Sequence, residues 1–288
     1  MITIDSDKCT RCGMCAEVCP VTVLHSNPGS GAMDVCYPDY CCACGHCVAV
    51  CPVKAVAHSE LPEDGFSDSV DPNVPPEHMD TLLRSRRSIR AYKDKAVPRE
   101  QLEQLIEVGI HAGTASNGQT EGFIVIEDRD RLAELEQRVI KALWNGGLKF
   151  LGNSLGITFS RLMYGPDMTE QLKVYHRIIK TLKETDQLAG MVFRTAPAVI
   201  VIHGIRANDQ VHANCAIAAR NMEIMATAMG LGTCWVGFLT GAAHMTKSIG
   251  RSLDIPVERN VYGALMVGYP KYLYQRSIPR RGRDVRWI

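Results

Sequence analysis

Beyond residue 51 this 288-residue chain has almost no cysteine: ten of its twelve lie between Cys9 and Cys51, and only Cys215 and Cys234 follow. It has no apolar run of the length a membrane span needs. No early apolar stretch resembles a signal peptide either, since "MITIDSDKC" leads straight into the first cysteines. These two absences give the expectation of a cytoplasmic protein with no membrane partner. An excess of charge is missing too, the formal net charge being +1, which speaks against nucleic acid or an acidic membrane as a partner. No G-x-G-x-x-G follows a predicted strand, so a dinucleotide-binding fold is not expected. With 46% hydrophobic residues, the length suits one large or two unequal domains.

The crowded cysteines form a grid. Cys9, Cys12, Cys15 and Cys19 have the spacing C-x2-C-x2-C-x3-C followed by Pro20, and Cys41, Cys44, Cys47 and Cys51 repeat it before Pro52. Such density means disulfides in a small secreted protein, whereas without a signal peptide it points to metal. Structural zinc is the alternative, but its sites use two CxxC knuckles with a longer spacer. Three closely spaced thiolates wrap a corner of one cluster, and the fourth, before Pro, reaches a second cluster.

Residues 1–60 accordingly resemble a two-cluster bacterial ferredoxin. The resemblance implies one [4Fe-4S] cluster on Cys9, Cys12, Cys15 and Cys51, and another on Cys41, Cys44, Cys47 and Cys19. Gly13 and Gly45 suit backbone passing close to sulfur. Cys42 reads as a small apolar filler and Cys36 as a buried free thiol. Asp34 and Asp39 flank a solvated loop.

From Ala55 to Leu83 there is no Lys or Arg. Residues 61–78 read as an acidic, Pro-rich linker that crosses the surface of the second unit and is anchored by Phe66 and Val70. Helix resumes at "MDTLLRSRRS", capped by Asp80 or Thr81. In residues 79–288, "PREQLEQLIEVGIHAG" predicts a helix from Pro98 to Gly113 with Leu102, Leu105, Ile106 and Gly109 on one face. "FIVIED" is a buried strand, "RDRLAELEQRVIKALW" an amphipathic helix, and "TAPAVIVIHG" and "NVYGALMVGYP" central strands. "HANCAIAARNMEIMATAMGLG" is a long helix, nearly apolar all round, which must be covered on every side; a homodimer with this helix near the interface is expected. The order suggests an α+β fold, a central, mostly antiparallel sheet sandwiched by helices.

Three stretches carry a second kind of chemistry. In "RRSIRAY", Arg86, Arg87, Ser88 and Arg90 crowd guanidinium groups and a hydroxyl in the manner of a phosphate site. "AGTASNGQTEGF" is a polar loop whose Ser116, Asn117 and Gln119 suit the edge of a heteroaromatic ring. "GLGTCWVGF" is a turn at Trp235 whose amides at Val236, Gly237 and Phe238 suit another ring edge. The tail adds Arg276, Arg280 and Arg281. With "GYPKY" before that tail, residues 79–288 resemble the nitroreductase family of flavin enzymes. The resemblance implies FMN at the interface of a homodimer. Arg86, Ser88, Arg90 and the tail arginines would hold phosphate and ribityl, Asn117 the pyrimidine edge, and residues 235–238 the N5 and O4 region. The family loop often reads Gln-Pro-Trp, whereas Thr120 and Glu121 follow Gln119 here.

Residues 144–190 are an insertion. Asp167 and Glu170 suggest a capping box for a helix with Leu172, Tyr175, Ile179 and Leu182 on one stripe. Phe150, Phe159, Met163 and Tyr164 suggest a mobile aromatic lid over the flavin, with dimer packing as the alternative. Tyr164, Tyr175, His176 and Arg177 are the candidate proton donors or anion binders. The combined expectation is an iron–sulfur flavoprotein oxidoreductase. Electrons would pass from an external donor (a ferredoxin or flavodoxin, or NAD(P)H) through two clusters to FMN, which reduces a nitroaromatic, quinone or enone by hydride from N5. The alternatives are a flavin-dependent dehydrogenase or dehalogenase using the clusters as electron entry or exit, and a non-catalytic redox relay or sensor.

Overall fold

The computed structural model describes residues 1–67 and 73–288, so Val70 lies outside the described residues. The chain divides into two compact units. Unit 1 comprises Met1–Asn73 with Thr114–Gln119, and unit 2 comprises Val74–Gly113 with Thr120–Ile288.

Unit 1 is built twice over from one short pattern. Its elements are β1 (Ile2–Ile4), α1 (Met14–Glu17), β2 (Leu24–Ser26), β3 (Met33–Val35), α2 (His46–Ala49) and β4 (Val56–His58). β1 pairs antiparallel with β4, and β2 with β3. The cysteine repeat is also a backbone repeat. Positive φ recurs at Arg11 and Ala43, at Gly13 and Gly45, and at Thr22 and Lys54, each pair at the same spacing as Cys9 and Cys41. Gly13 and Gly45, at φ 79° and 75°, start the two helical turns in the left-handed region that glycine tolerates. Ile2, Val23, Leu24, Met33 and Val56 form the core together with Cys15 and Cys47. Cys36 is half-buried rather than buried; it stands at the end of the β2–β3 hairpin, where its N–H donates to Val23 O. Phe66 also differs from expectation: it packs inside unit 1, its ring 3.5 Å from where a Cβ on Gly45 would lie.

Unit 2 is a sheet between two helical layers. Its elements are α3 (Pro76–Ser85), α4 (Arg99–Ile110), β5 (Gly122–Ile126), α5 (Arg129–Asn145), α6 (Ser154–Glu184), β6 (Ala198–Ile205), α7 (Val211–Ala228), β7 (Gly232–Trp235), α8 (Gly237–Met245), α9 (Lys247–Ser252) and β8 (Arg259–Gly268). The strand order is β5-β6-β8-β7 and each pairing is antiparallel. Alternation along β6 sorts the two faces. Ala198, Ile200 and Ile202 pack with Leu102, Leu105 and Met222 of α4 and α7. Val199 and Val201 pack with Leu135, Val139, Leu239 and Ile249 of α5, α8 and α9.

Two local expectations are corrected. α3 begins at Pro76, a residue that suits the first helical turn, so Asp80 and Thr81 lie inside it; the Asp80 carboxylate takes a 2.7 Å bond from Arg84. Glu170 forms no capping box, since its carboxylate meets Lys173 at 3.0 Å and Arg161 at 3.2 Å. The front of the insertion is helical: Phe159, Met163 and Tyr164 lie in α6, which breaks at Gly165 (φ 79°) before Pro166. Across the break Ser160 and Thr169 hydroxyls meet at 3.0 Å. Beyond it the expected stripe packs inward, with Ile179 fully buried and Leu172, Tyr175 and Leu182 against the same core.

Candidate functional site

In unit 1, Cys9, Cys12, Cys15 and Cys51 line one cavity with Gly13, Met14, Met33 and Val56. The turn at Gly13 presents three of these thiols, and the approach to β4 returns the fourth. Among the described residues, no group of three or more His, Cys, Asp or Glu converges tightly enough for a single ion. The four thiols line one pocket together, and a multi-iron cluster needs its ligands around a common space. Cys51 Sγ accepts the Ala55 N–H at 3.2 Å, and Cys19 Sγ accepts the Val23 N–H at 3.2 Å, so the repeat extends to the sulfur bonding. Burial pushes the Cys15 thiol up, and nearby Cys9 and Cys12 add to the effect. Burial pushes Cys47 up to about 11, with Cys44 and then Cys41 contributing. Hydrogen bonding, first from the Met14 N–H, holds the exposed Cys12 thiol below its ordinary value instead. Cys19, Cys41, Cys47 and Cys51 share the apolar core of unit 1.

In unit 2, two of the three flavin-like stretches lie side by side. Ser88 bridges to Thr233, the Ile89 N–H donates to Thr233 O at 2.9 Å, and Tyr92 bridges to Pro270. Gly232 makes this possible, because a Cβ there would meet Ile89 Cγ1 at 2.5 Å. "RRSIRAY" thus meets β7, the strand that delivers the chain into α8, at Thr233, and then passes beside the chain just beyond β8, where the Lys93 N–H donates to Tyr269 O at 2.8 Å and the Lys271 N–H to Ala91 O at 3.0 Å. Arg86 is held 3.5 Å from Glu223, which also meets Arg220 at 3.3 Å. Arg87 directs Nη1 to the carbonyls of Arg84 and Arg86, while its Nε is buried and without a hydrogen-bond partner. Arg90 is exposed, as is Trp235. The Val236 N–H is not free for a ring edge, because it continues the ladder to Ala264 O at 2.9 Å. The donors remaining in that turn are the first amides of α8, at Gly237 and Phe238. Sequence reasoning missed Glu223, although it is the only carboxylate in the apolar helix α7 and that isolation was its signal.

The third stretch lies elsewhere. Ser116, Asn117 and Gln119 belong to unit 1. Asn117 Nδ2 donates to Cys42 O at 3.1 Å and Ala43 O at 3.0 Å, so its donors already have partners. Arg276, Arg280 and Arg281 are exposed on the tail. Of the candidate proton donors, His176 is buried, with Nδ1 2.6 Å from Leu148 O and the ring stacked on Trp144; this is a structural role. Tyr175 sits edge-on to Phe238 at 5.2 Å, and Tyr164 and Arg177 are exposed.

Residues 83–269 match the model of the Nitroreductase family, and residues 2–24 match that of the 4Fe-4S binding domain. The chain belongs to the nitroreductase family. It joins a 4Fe-4S binding domain to the family's own domain. This nitroreductase-family chain is 23% identical over 190 residues to an Archaeoglobus fulgidus protein provisionally named an NADH dehydrogenase/NAD(P)H nitroreductase, covering 66% of this chain and 84% of that one. The solved nitroreductase with bound FMN from Bacteroides fragilis shares its fold, at TM-score 0.56 and 20% identity over 73% of this chain and 98% of that one. So does an FMN-dependent nitroreductase from Clostridium difficile, at TM-score 0.53 and 17% identity over 74% and 100%.

Proposed function

We propose that this chain is an FMN-dependent iron–sulfur oxidoreductase. Electrons from an external low-potential donor would pass through two [4Fe-4S] clusters to FMN, which reduces a small electrophile of the nitroaromatic, quinone or enone type. The observation that carries the flavin assignment is the contact of Ser88 and Ile89 with Thr233 of β7, the strand that leads to the amides of Gly237 and Phe238. The residues present fit the group. Arg86, Ser88, Arg90 and the buried, partnerless Nε of Arg87 suit a phosphate, and Trp235 with the two amides suits the ring. The tail arginines Arg276, Arg280 and Arg281 would add charge at the same anion.

When bound, FMN supplies the exchange between single electrons and hydride. The chain's part is to hold it and to shape the space around it. Tyr175, fixed edge-on against Phe238, would border the ring from α6. Tyr164 on the same helix would face substrate as a lid closes. One cluster would take Cys9, Cys12, Cys15 and Cys51, and the other Cys41, Cys44, Cys47 and Cys19. The cavity shared by the first four thiols supports the first set, and the duplicated backbone supports the second. The flavin site would be completed by a second copy of the chain.

Anaerobic purification with iron, sulfide and flavin quantified tests the assignment, with about eight iron and one FMN per chain expected. Reducing the clusters should bleach the flavin, and stopped-flow mixing of that reduced protein with a nitroarene should restore its absorbance. Zinc in place of iron, or a flavin that never responds, would sink the reading.

A further inference from the structure

Residues 114–119 follow α4 and precede β5, yet they pack as part of unit 1. Three of them hold positive φ: Ser116 at 51°, Asn117 at 54° and Gln119 at 44°. Asn visits this region readily, whereas Ser and Gln hold it mainly where local contacts favour it. Asn117 supplies those contacts. Its Oδ1 accepts from Gln119 Nε2 at 2.8 Å, which turns Nδ2 toward two carbonyls, Cys42 O at 3.1 Å and Ala43 O at 3.0 Å. A primary amide has two N–H groups, and both have an acceptor here. The Gln119 N–H donates to Thr114 Oγ1 at 3.1 Å and closes the loop on itself.

Cys42 and Ala43 are the residues between Cys41 and Cys44, and Ala43 is itself at φ 48°. In a trans peptide the C=O and the following N–H point in opposite directions. Holding the Cys42 and Ala43 carbonyls therefore fixes which way the N–H groups of Ala43 and Cys44 face. It also fixes the arc over which Cys41 and Cys44 can present their sulfurs. Both the ligand arc and the turn amides set the potential of a cluster held there.

We propose that Asn117 is a positioning residue for the second cluster, clamping the 41–44 turn through its side-chain amide. This rests on the two-cluster reading given above. The test uses the full chain, prepared anaerobically, with iron, sulfide and FMN quantified and the reduced clusters titrated by electron paramagnetic resonance. Asn117→Asp is nearly isosteric and sets a carboxylate against two carbonyl oxygens. It should shift or abolish one cluster signal, iron falling from about eight toward about four per chain. The other cluster signal should be unchanged. Gln119→Glu, which disturbs only the orientation of the Asn117 amide, should move the same signal less. Loss of FMN with both clusters intact would overturn the proposal and assign Asn117 to the flavin, and two unmoved signals would overturn it as well. Wild-type protein without cubane iron overturns the two-cluster reading and this one together; the wild-type iron count alone distinguishes that outcome.

Discussion

His203 shows how one residue ties acid sensitivity to packing. Its ring occupies the space left by Gly122, where a Cβ would meet His203 Cε1 at 2.4 Å, and Nδ1 accepts from Arg259 Nε at 2.8 Å. Burial, and then the Arg259 guanidinium, hold the imidazole below its ordinary pKa. The native state therefore keeps the ring neutral, while the unfolded chain takes up a proton below about pH 6.5. Stability is complete above that pH and is lost as pH falls through the lower native value. Thermal melts from pH 8 to pH 5 should show this decline in the wild type and a flatter profile in His203→Gln. A decline of equal steepness in both would show that His203 is not its source. The residue scale is also where the sequence was most and least legible. Cysteine ligands announce themselves by spacing because the cluster dictates it. Asn117 and Val236 do not, because an amide's partner is chosen by the tertiary fold.

At the scale of elements, long periodic segments were readable and short ones were not. α4, α5, α7, β6 and β8 follow their apolar periods. β7 has four residues, "GTCW", and reads as a turn; it is a strand because β8 offers a paired edge. The helix start expected at Asp167 falls beside the break at Gly165–Pro166, whereas the helical run before the break was read as a lid. β7 also carries a prediction, because Ser88 and Ile89 meet it at Thr233 and Ile89 covers Gly232. In Gly232→Ala the new methyl would overlap Ile89 Cγ1 and Cβ, a β-branched side chain with little room to yield. The segment should be displaced from the strand, and FMN affinity, measured by fluorescence titration, should fall by about tenfold or more, equivalent to about 1.4 kcal/mol. Iron content should not change. Unaltered flavin binding would detach "RRSIRAY" from the cofactor.

For the whole molecule, the two-part plan was legible from composition alone, because cysteine and apolar periodicity occupy different parts of the chain. The proposed homodimer rests on α7. One face is buried by α4 and the sheet, through Met222, Ala219 and Cys215. The other leaves Ala213, Ala216 and Ile217 exposed, small or apolar side chains that suit close approach of another helix. Ile217→Glu should convert a dimer to monomer by analytical ultracentrifugation and release FMN with it. A monomeric wild type that retains flavin would count against the shared site.

The discontinuity of unit 1 has an engineering consequence. Its last six residues arrive from deep within the other unit's stretch of chain, so no single cut releases an intact iron–sulfur head. A fragment ending at residue 73 leaves the peptide bonds on either side of Ala43 without their amide clasp. Transplanting that head onto another flavoenzyme would require grafting the hexapeptide as well.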